Sequence, residues 1–320
     1  MLKVVIIGYG EMFTNLIAGT LDAGCEIVGV LRRETVKYKP FVRKLKDIIN
    51  PSTDYNYIKS YNLPEINAPD GVNSKKFRKT LLKLNPDIML VGSWGEKFEK
   101  ATFDIPKIAS INAHPSLLPK YRGPNPYFWT IKNCEQESGV TFHLIDSGYD
   151  TGAILAQEPV KIYPSDTGES LKQRTVLTAR GTVCELLKSL NEDIIIPLQQ
   201  REDQSSYYSY PDGLEIDFKQ SAENIHALIR ASHPWTRTWF YHDTAIFTPN
   251  PHKIFIEENK THYLKTGTVT EVNYKTRTIS VVCGDGKLIK MGNIKFYKKC
   301  DRPFSSNYIK REINVGDILL

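Results

Sequence analysis

The opening of the chain, Lys3-Val4-Val5-Ile6-Ile7 followed by Gly8-Tyr9-Gly10, constrains the fold more than any other stretch. A run of mostly β-branched residues without polar alternation reads as a strand buried on both faces, and the two glycines after it read as a tight turn. Phe13, Leu16, Ile17 and Leu21 then recur at helical spacing, Gly24 stands where that helix would stop, and residues 26–31 form a second strand. Strand, glycine turn, helix and strand in that order open a parallel α/β sheet. The pattern continues with a helix over 77–84, strands over 87–92, 108–111 and 139–145, and a helix over about 170–190.

At 320 residues the chain exceeds what one core usually holds, ~250–300 residues. Composition changes near residue 200, where the polar run 199–212, with Ser205, Ser206, Ser209 and Pro211, reads as a linker. The expected division is a first domain over 1–203, a linker over 204–212 and a second domain over 213–320. The second domain opens with an amphipathic helix over 221–232 that His233-Pro234 ends. Strands at 253–257, 267–274, 278–283 and 287–296 follow, with turns at Asp285-Gly286 and Gly292-Asn293. The expected fold class is therefore α/β, an open, mostly parallel Rossmann-like sheet followed by a smaller, mostly β, OB-like barrel. Exposed strand edges in that second domain are compatible with a homodimer.

Other classes fall away. No apolar run approaches the ~18–20 residues of a membrane helix, so no membrane insertion is expected, and the start has no small-residue cleavage site. The five cysteines are scattered, odd in number and without a CxxC pair, which offers neither a disulfide framework nor a metal site and suits a cytoplasmic setting. A net charge of +6 is mild. Gly8-Tyr9-Gly10 invites a dinucleotide reading, but Phe13 stands where that fingerprint needs its third glycine, and Leu31-Arg32-Arg33 ends the second strand without its acid. Seven basic residues between Arg32 and Lys46 against the single Glu34 suit either a phosphate-binding loop or a solvated surface insertion.

Chemistry concentrates between Ile111 and Gly152. Asn112 and His114 are two apart at the carboxyl end of an apolar strand, so their side chains share a face at the edge where open α/β sheets bind ligands. Pro115, Pro119, Pro124 and Pro126 impose a stiff, irregular loop. Asp150, bracketed by Gly148 and Gly152 after another strand, lies in a second loop able to face the first. An Asn, a His and an Asp at one sheet edge supply an oxyanion donor, a base near neutral pH and a carboxylate to orient the imidazole. No serine or cysteine elbow accompanies them, which favours direct attack by a substrate group. His143 reads as a packed strand residue, and His226 and His233 as structural members of the second domain.

These residues carry a resemblance. Asn112, His114, Ser116-Leu117-Leu118-Pro119, Tyr121-Arg122-Gly123 and Asp146-Ser147-Gly148-Tyr149-Asp150-Thr151-Gly152 are similar to the signature of the folate-dependent formyltransferases. Residues 221–235 resemble the start of the C-terminal domain in that family's transfer-RNA enzyme and in its aminoarabinose enzyme. The resemblance implies attack of a primary amine on the formyl carbon of 10-formyltetrahydrofolate. Asn112 and a protonated His114 would stabilise the oxyanion, and Asp150 would help move the proton. It places the folate between the 93–98 and 146–150 loops, with Trp94, Phe98, Leu117, Leu118, Asp146 and Tyr149 as contacts and no metal. Acceptor contacts are expected at Gly10, Tyr121, Arg122 and Gly123, with a loop-fixing ion pair as the other reading of Arg122. Trp94, Phe128 and Trp129 are either stacking surfaces or packing under the loop.

Three acceptors fit: a nucleotide-linked amino sugar on a lipopolysaccharide or polysaccharide route, methionine on initiator transfer RNA, and a small metabolite amine. Ile7-Gly8-Tyr9-Gly10-Glu11-Met12 departs from the transfer-RNA enzymes' usual opening, and Pro124-Asn125-Pro126-Tyr127-Phe128-Trp129 looks more like the sugar enzymes; the basic stretch 32–46 points the other way. The expectation is the amino sugar, with initiator transfer RNA as the alternative. A non-catalytic binding module of the same fold is the reading from another class.

Overall fold

The computed structural model describes residues 1–38, 40–192, 196–243, 245–258, 263–298 and 313–319. It divides into two compact units, Met1–Pro126 with Glu137–Lys161 and Lys172–Ser209, and Tyr127–Gln136 with Ile162–Leu171 and Tyr210–Leu320.

The elements of the first part of the chain are β1 (Lys3–Gly8), α1 (Gly10–Asp22), β2 (Glu26–Arg32), α2 (Arg33–Lys37), α3 (Pro40–Ile49), α4 (Thr53–Ser60), α5 (Lys75–Leu84), β3 (Ile88–Gly92), α6 (Lys100–Phe103), β4 (Ala109–His114), α7 (Pro126–Lys132), β5 (Glu137–Leu144), β6 (Ile154–Lys161) and α8 (Gly168–Asn191). One six-stranded sheet runs in the order β2-β1-β3-β4-β5-β6. β1 to β4 are parallel, and β5 and β6 run antiparallel to their neighbours. Its central strands are apolar throughout because both faces are covered. Val4, Ile6, Ile88 and Leu90 face a core shared with Phe13, Leu16 and Ile17 of α1, while Val5, Ile7, Met89 and Val91 face another built with Phe77 and Leu81 of α5. Period-two alternation thus survives as a choice between two cores.

The structure adds β6 and the helices α2, α3, α4, α6 and α7 to the expected elements. β6 is an edge strand whose residues 154–159 are half-buried or exposed, so it lacks the apolar run that marks a buried strand. Pro126 opens α7 at a position where proline is tolerated, so the proline-rich loop ends there.

Neither reading of the basic segment describes it fully. Arg32 is completely buried, pairs with Asp47 and Glu65, and lies 5.0 Å from the centre of the Tyr55 ring. Arg43 is buried and bonded to Asn67. These two cations hold α3 and the loop after α4 to the sheet edge, while Phe41, Leu45, Ile48 and Ile49 of α3 are left exposed. Gly10, expected to contact substrate, has its amide engaged by the buried Asp54 carboxylate at 2.9 and 3.1 Å. A protein carboxylate thus occupies the α1 N-terminus, the position a nucleotide phosphate takes in dinucleotide folds.

In the second unit α9 (Ala222–Ser232) is capped by the Ser221 hydroxyl on the Asn224 amide. The strands that follow are β7 (Phe240–His242), β8 (Ala245–Thr248), β9 (Ile254–Glu257), β10 (Val269–Asn273), β11 (Thr278–Val282), β12 (Leu288–Met291) and β13 (Lys295–Lys298). All pair antiparallel, in sheets ordered β10-β11-β12-β9 and β13-β8-β7. Ile225, Ile229, Phe240, Phe247, Val269, Ile279, Val281 and Ile289 share a single core. The turn at Gly292-Asn293 splits the strand expected over 287–296 in two, Asn293 adopting a left-handed φ of 52°. In this unit Phe128 is fully buried and meets Trp129 edge to face, which is the packing reading. Among the described residues no helix is long and apolar enough to cross a membrane.

Candidate active site

β4 and β5 set the site. Their antiparallel register pairs Asn112 with His143 and His114 with Thr141, so neighbours on one face come from both strands. The Asn112 amide nitrogen lies 3.1 Å from His143 Nε2 and 3.3 Å from Asp150 Oδ1. His143 Nδ1 is 2.8 Å from the Leu144 carbonyl oxygen, to which it donates. Asp150 then bridges the two imidazoles, its Oδ2 3.5 Å from His114 Nδ1 and its Oδ1 3.5 Å from His143 Nε2. His143 is only 3% exposed yet lies within this cluster, so it is more than a packed strand residue.

The loop after β4 supplies backbone groups. Tyr121, at φ 61°, turns its carbonyl toward His114 Nε2 at 2.8 Å, where the ring N–H donates. The Gly123 amide donates to Asp150 Oδ2 at 2.9 Å. Gly123 adopts φ 94°, and a Cβ there would run into the Tyr208 carbonyl oxygen, so both conformation and space require glycine. Asp150 itself sits at φ 56°, a left-handed conformation that the surrounding bonds must hold.

Electrostatics follow from burial. His114 is 4% exposed, and burial pushes its imidazole below the ordinary value; the Asp150 charge and the Tyr121 carbonyl oppose the shift. The ring's Nε2–H is spent on the Tyr121 carbonyl, which leaves Nδ1 on the carboxylate side. Burial also acts against the Asp150 charge, but the two imidazoles and the Gly123 amide outweigh it and hold the carboxyl well below the usual carboxylate range.

Part of the expected linker is bonded to this site. Arg122, expected at the acceptor mouth, is buried and committed: Gln200 Oε1 accepts from its Nε and Nη2 at 3.1 and 2.8 Å, and the Glu202 carboxylate from Nη1 and Nη2 at 3.0 and 2.7 Å. The ion-pair reading of Arg122 is the one observed. The Gln200 amide donates to the carbonyls of Asp150 and Gly152 at 2.9 and 2.7 Å, so one side chain joins both site loops. Ser206 accepts from the Tyr121 and Arg122 amides, and the Tyr121 and Tyr208 rings stack at 5.1 Å.

The remaining expected contacts divide. Lys97 lies 4.9 Å from the centre of the exposed Tyr149 ring, bringing the 93–98 and 146–150 loops together. Trp94 Nε1 is buried without a hydrogen-bond partner among the described residues. Phe98 is packed in the α5-side core, against which Trp94 also packs. Asp146 spends Oδ1 on the Gly148 amide and the Thr151 hydroxyl, shaping its loop. Leu117 packs on Gly139 of β5, and the Leu118 amide donates to the Thr141 hydroxyl. The sequence reading missed His143, Gln200 and the backbone groups of Tyr121 and Gly123. Only His143 carried a signal, through a β4–β5 hairpin register that places it opposite Asn112.

Residues 2–185 match the family model for formyl transferase, and residues 210–303 match that for the formyl transferase C-terminal domain. The methionyl-tRNA formyltransferase of Lachnospira eligens is 29% identical over 297 residues, 90% of each chain. That of Clostridium novyi is 33% identical over 216 residues, 67% of this chain and 68% of the relative. Among solved structures, the sugar 3N-formyl transferase WlaRD, determined in the presence of dTDP and 5-N-formyl-THF, superposes with a TM-score of 0.66 at 21% identity, covering 92% of this chain and 98% of that one. The N-formyltransferase from Helicobacter canadensis, in complex with folinic acid and dTDP-3-aminofucose, also reaches 0.66, at 20% identity over 91% and 99% of the two chains. With its model matching more than half of the residues, the chain belongs to the formyl transferase family.

Proposed function

We propose that this enzyme transfers the formyl group of 10-formyltetrahydrofolate to the amine of a nucleotide-linked amino sugar. The acceptor nitrogen adds to the formyl carbon, the tetrahedral oxyanion so formed collapses with loss of the bond from that carbon to the folate nitrogen, and the amine's proton ends on the departing nitrogen. His114 Nδ1, next to Asp150, takes that proton, and the carboxylate stabilises the imidazolium so formed. Asn112 turns an N–H to the developing oxyanion, giving up its longer bond, the 3.3 Å contact to Asp150. His143 and the Gly123 amide keep Asp150 ionised and in place. The unsatisfied Trp94 Nε1 and the joined 93–98 and 146–150 loops suit the polar, flat pterin of a folate.

The observation that carries the sugar reading is the 32–46 segment. Two of its arginines are spent inside the protein, and α3 presents Phe41, Leu45, Ile48 and Ile49 to solvent, an apolar face that contributes no phosphate contacts. Full-length likeness to two sugar-type enzymes supports it. One observation favours the second reading, initiator methionyl-tRNA: relatives at 29–33% identity are methionyl-tRNA formyltransferases.

The test is release of tetrahydrofolate from 10-formyltetrahydrofolate by the purified chain, with a panel of nucleotide-linked amino sugars and with charged initiator transfer RNA, and His114→Ala as control. Turnover with a sugar nucleotide alone is the expected result. Turnover with transfer RNA alone overturns the sugar reading, and activity that survives His114→Ala overturns the assigned site.

A further inference from the structure

Helix α3 is built inside out. Successive helical residues turn by about 100°, so Arg43 and Asp47 share one face of Pro40–Ile49. That face is turned inward: both side chains are buried, Arg43 on Asn67 and Asp47 on the fully buried Arg32. The opposite face is apolar and outward. Phe41, Val42, Leu45, Ile48 and Ile49 fall in a stripe about 120° wide, centred opposite the buried pair. They are 79, 49, 50, 78 and 72% exposed. A surface helix ordinarily lays its apolar stripe on the core and its charges in water; here the inner ion pair fixes the reverse. A contiguous apolar face of this kind, held outward by buried polar bonds, marks an interaction surface.

The flanks identify the partner. On the same count Lys44 and Lys46 lie about 40° beyond the two edges of the stripe, one on each side. Lys44 is exposed, and Lys46 holds its ammonium 4.6 Å from the centre of the Tyr38 ring, two residues before the helix. Asp47, the one acid in the sequence of α3, is on the inner face. Two copies meeting through this stripe would set lysines against lysines with no acid of the helix between them. Five side chains also fall short of the ~20–30 residues a side of a stable protein interface. A nucleic acid would meet phenylalanine and isoleucine where it needs cations. An apolar stripe with a lysine on each flank is instead the pattern of a helix lying in a membrane interface. Its apolar side chains reach the acyl boundary while the lysines extend to the headgroup phosphates. Ten residues rise about 15 Å, half of a ~30 Å hydrocarbon core, so such a helix lies along the surface and does not span it. We propose that α3 docks the protein reversibly on an anionic lipid bilayer, with Phe41, Val42, Leu45, Ile48 and Ile49 in the acyl boundary and Lys44 and Lys46 on the headgroups. The docking is independent of which amine is formylated.

The experiment is flotation of the full chain with vesicles of phosphatidylcholine alone and of phosphatidylcholine mixed equally with phosphatidylglycerol. Binding should be reversible and of the order of the ~10⁴ M⁻¹ of a single acyl chain, so about 1 mM lipid should carry most of the protein on the anionic vesicles. Each lysine near such a surface contributes about fivefold. Neutral vesicles, or the double variant Lys44→Gln, Lys46→Gln on anionic ones, should therefore bind about 25-fold more weakly. The double variant Phe41→Gln, Ile48→Gln should not float. None of the four side chains belongs to a buried core, so the melting temperature and formyl transfer without lipid should match wild type in both variants. The proposal is overturned if neither vesicle carries the protein, if neutral vesicles carry it as well as anionic ones, or if either double variant floats as wild type does. Dimerisation in sedimentation that Phe41→Gln, Ile48→Gln removes also overturns it and assigns the face to a second copy. Loss of lipid-free formyl transfer in that folded variant overturns it in favour of an acceptor contact.

Discussion

Gln200 offers the sharpest test of how the site is held. Its amide nitrogen donates to two carbonyls of the Asp150 loop, and its carbonyl accepts from the Arg122 guanidinium of the other loop. Two neutral bonds contribute about 1 kcal/mol each, and the charge-assisted pair to Arg122 about 1.5–3 kcal/mol. Truncation to alanine removes up to ~5 kcal/mol of cross-tie. Arg122 keeps Glu202, and water can enter a half-buried site, so about 2 kcal/mol is the realistic loss. Spent on loop order, that is a fall of about 30-fold in the fraction of enzyme with Asp150 in place.

Two variants separate the halves of the tie. Gln200→Ala should lower kcat about 10- to 30-fold with a smaller change in KM. Gln200→Glu keeps a partner for Arg122 but sets a carboxylate against the Asp150 and Gly152 carbonyls, so it should be no better than alanine. The assay is steady-state formyl transfer, with circular dichroism to confirm folding. Wild-type kcat in both folded variants would refute the reasoning. So would full rescue by Gln200→Glu, which would leave the Arg122 contact as all that matters.

Other outcomes follow from the same geometry. Gly123→Ala forces a Cβ at φ 94° toward the Tyr208 carbonyl and displaces the amide from Asp150; a shift of about 1 Å there should cost about 100-fold in kcat, measured against an unchanged fold by circular dichroism. His143→Leu removes a partner of Asn112 and Asp150, so the Asp150 carboxyl should rise toward ~3.9 and the acid limb of the pH–rate profile should move to higher pH; an unmoved limb would place His143 outside the electrostatics. The same depression makes stability pH-dependent: Asp150's contribution is full well above its unfolded value of ~3.9 and is lost as pH falls through the lower folded value, so urea midpoints should drop below about pH 4 in wild type and less so in Asp150→Asn. Arg32→Met leaves Asp47 and Glu65 without their buried cation and should cost about 3–5 kcal/mol by urea denaturation, and Arg32→Lys should not restore it because a single ammonium cannot reproduce the fork.

Local sequence determined the parts of this protein whose causes are local. The run Val4–Ile7, the helical spacing of Phe13, Leu16 and Ile17, and the Asn112–His114 pair at a strand end specify a parallel sheet with a reactive edge, because burial on two faces and period-two alternation leave few alternatives. The residue types Asn112, His114 and Asp150 and their spacing carried the resemblance to the family. Tertiary structure decided what depends on distant partners. Gln200 sits in a run whose polarity reads as a linker, and only folding brings it to carbonyls fifty residues back in the chain. His143 joins the site through register, and the Gly10 amide is taken by Asp54, forty-four positions away. The protonation of His114 is likewise unreadable from its neighbours in sequence, since burial, and the carbonyl and carboxylate set against it, exist only once the sheet edge and its two loops have closed.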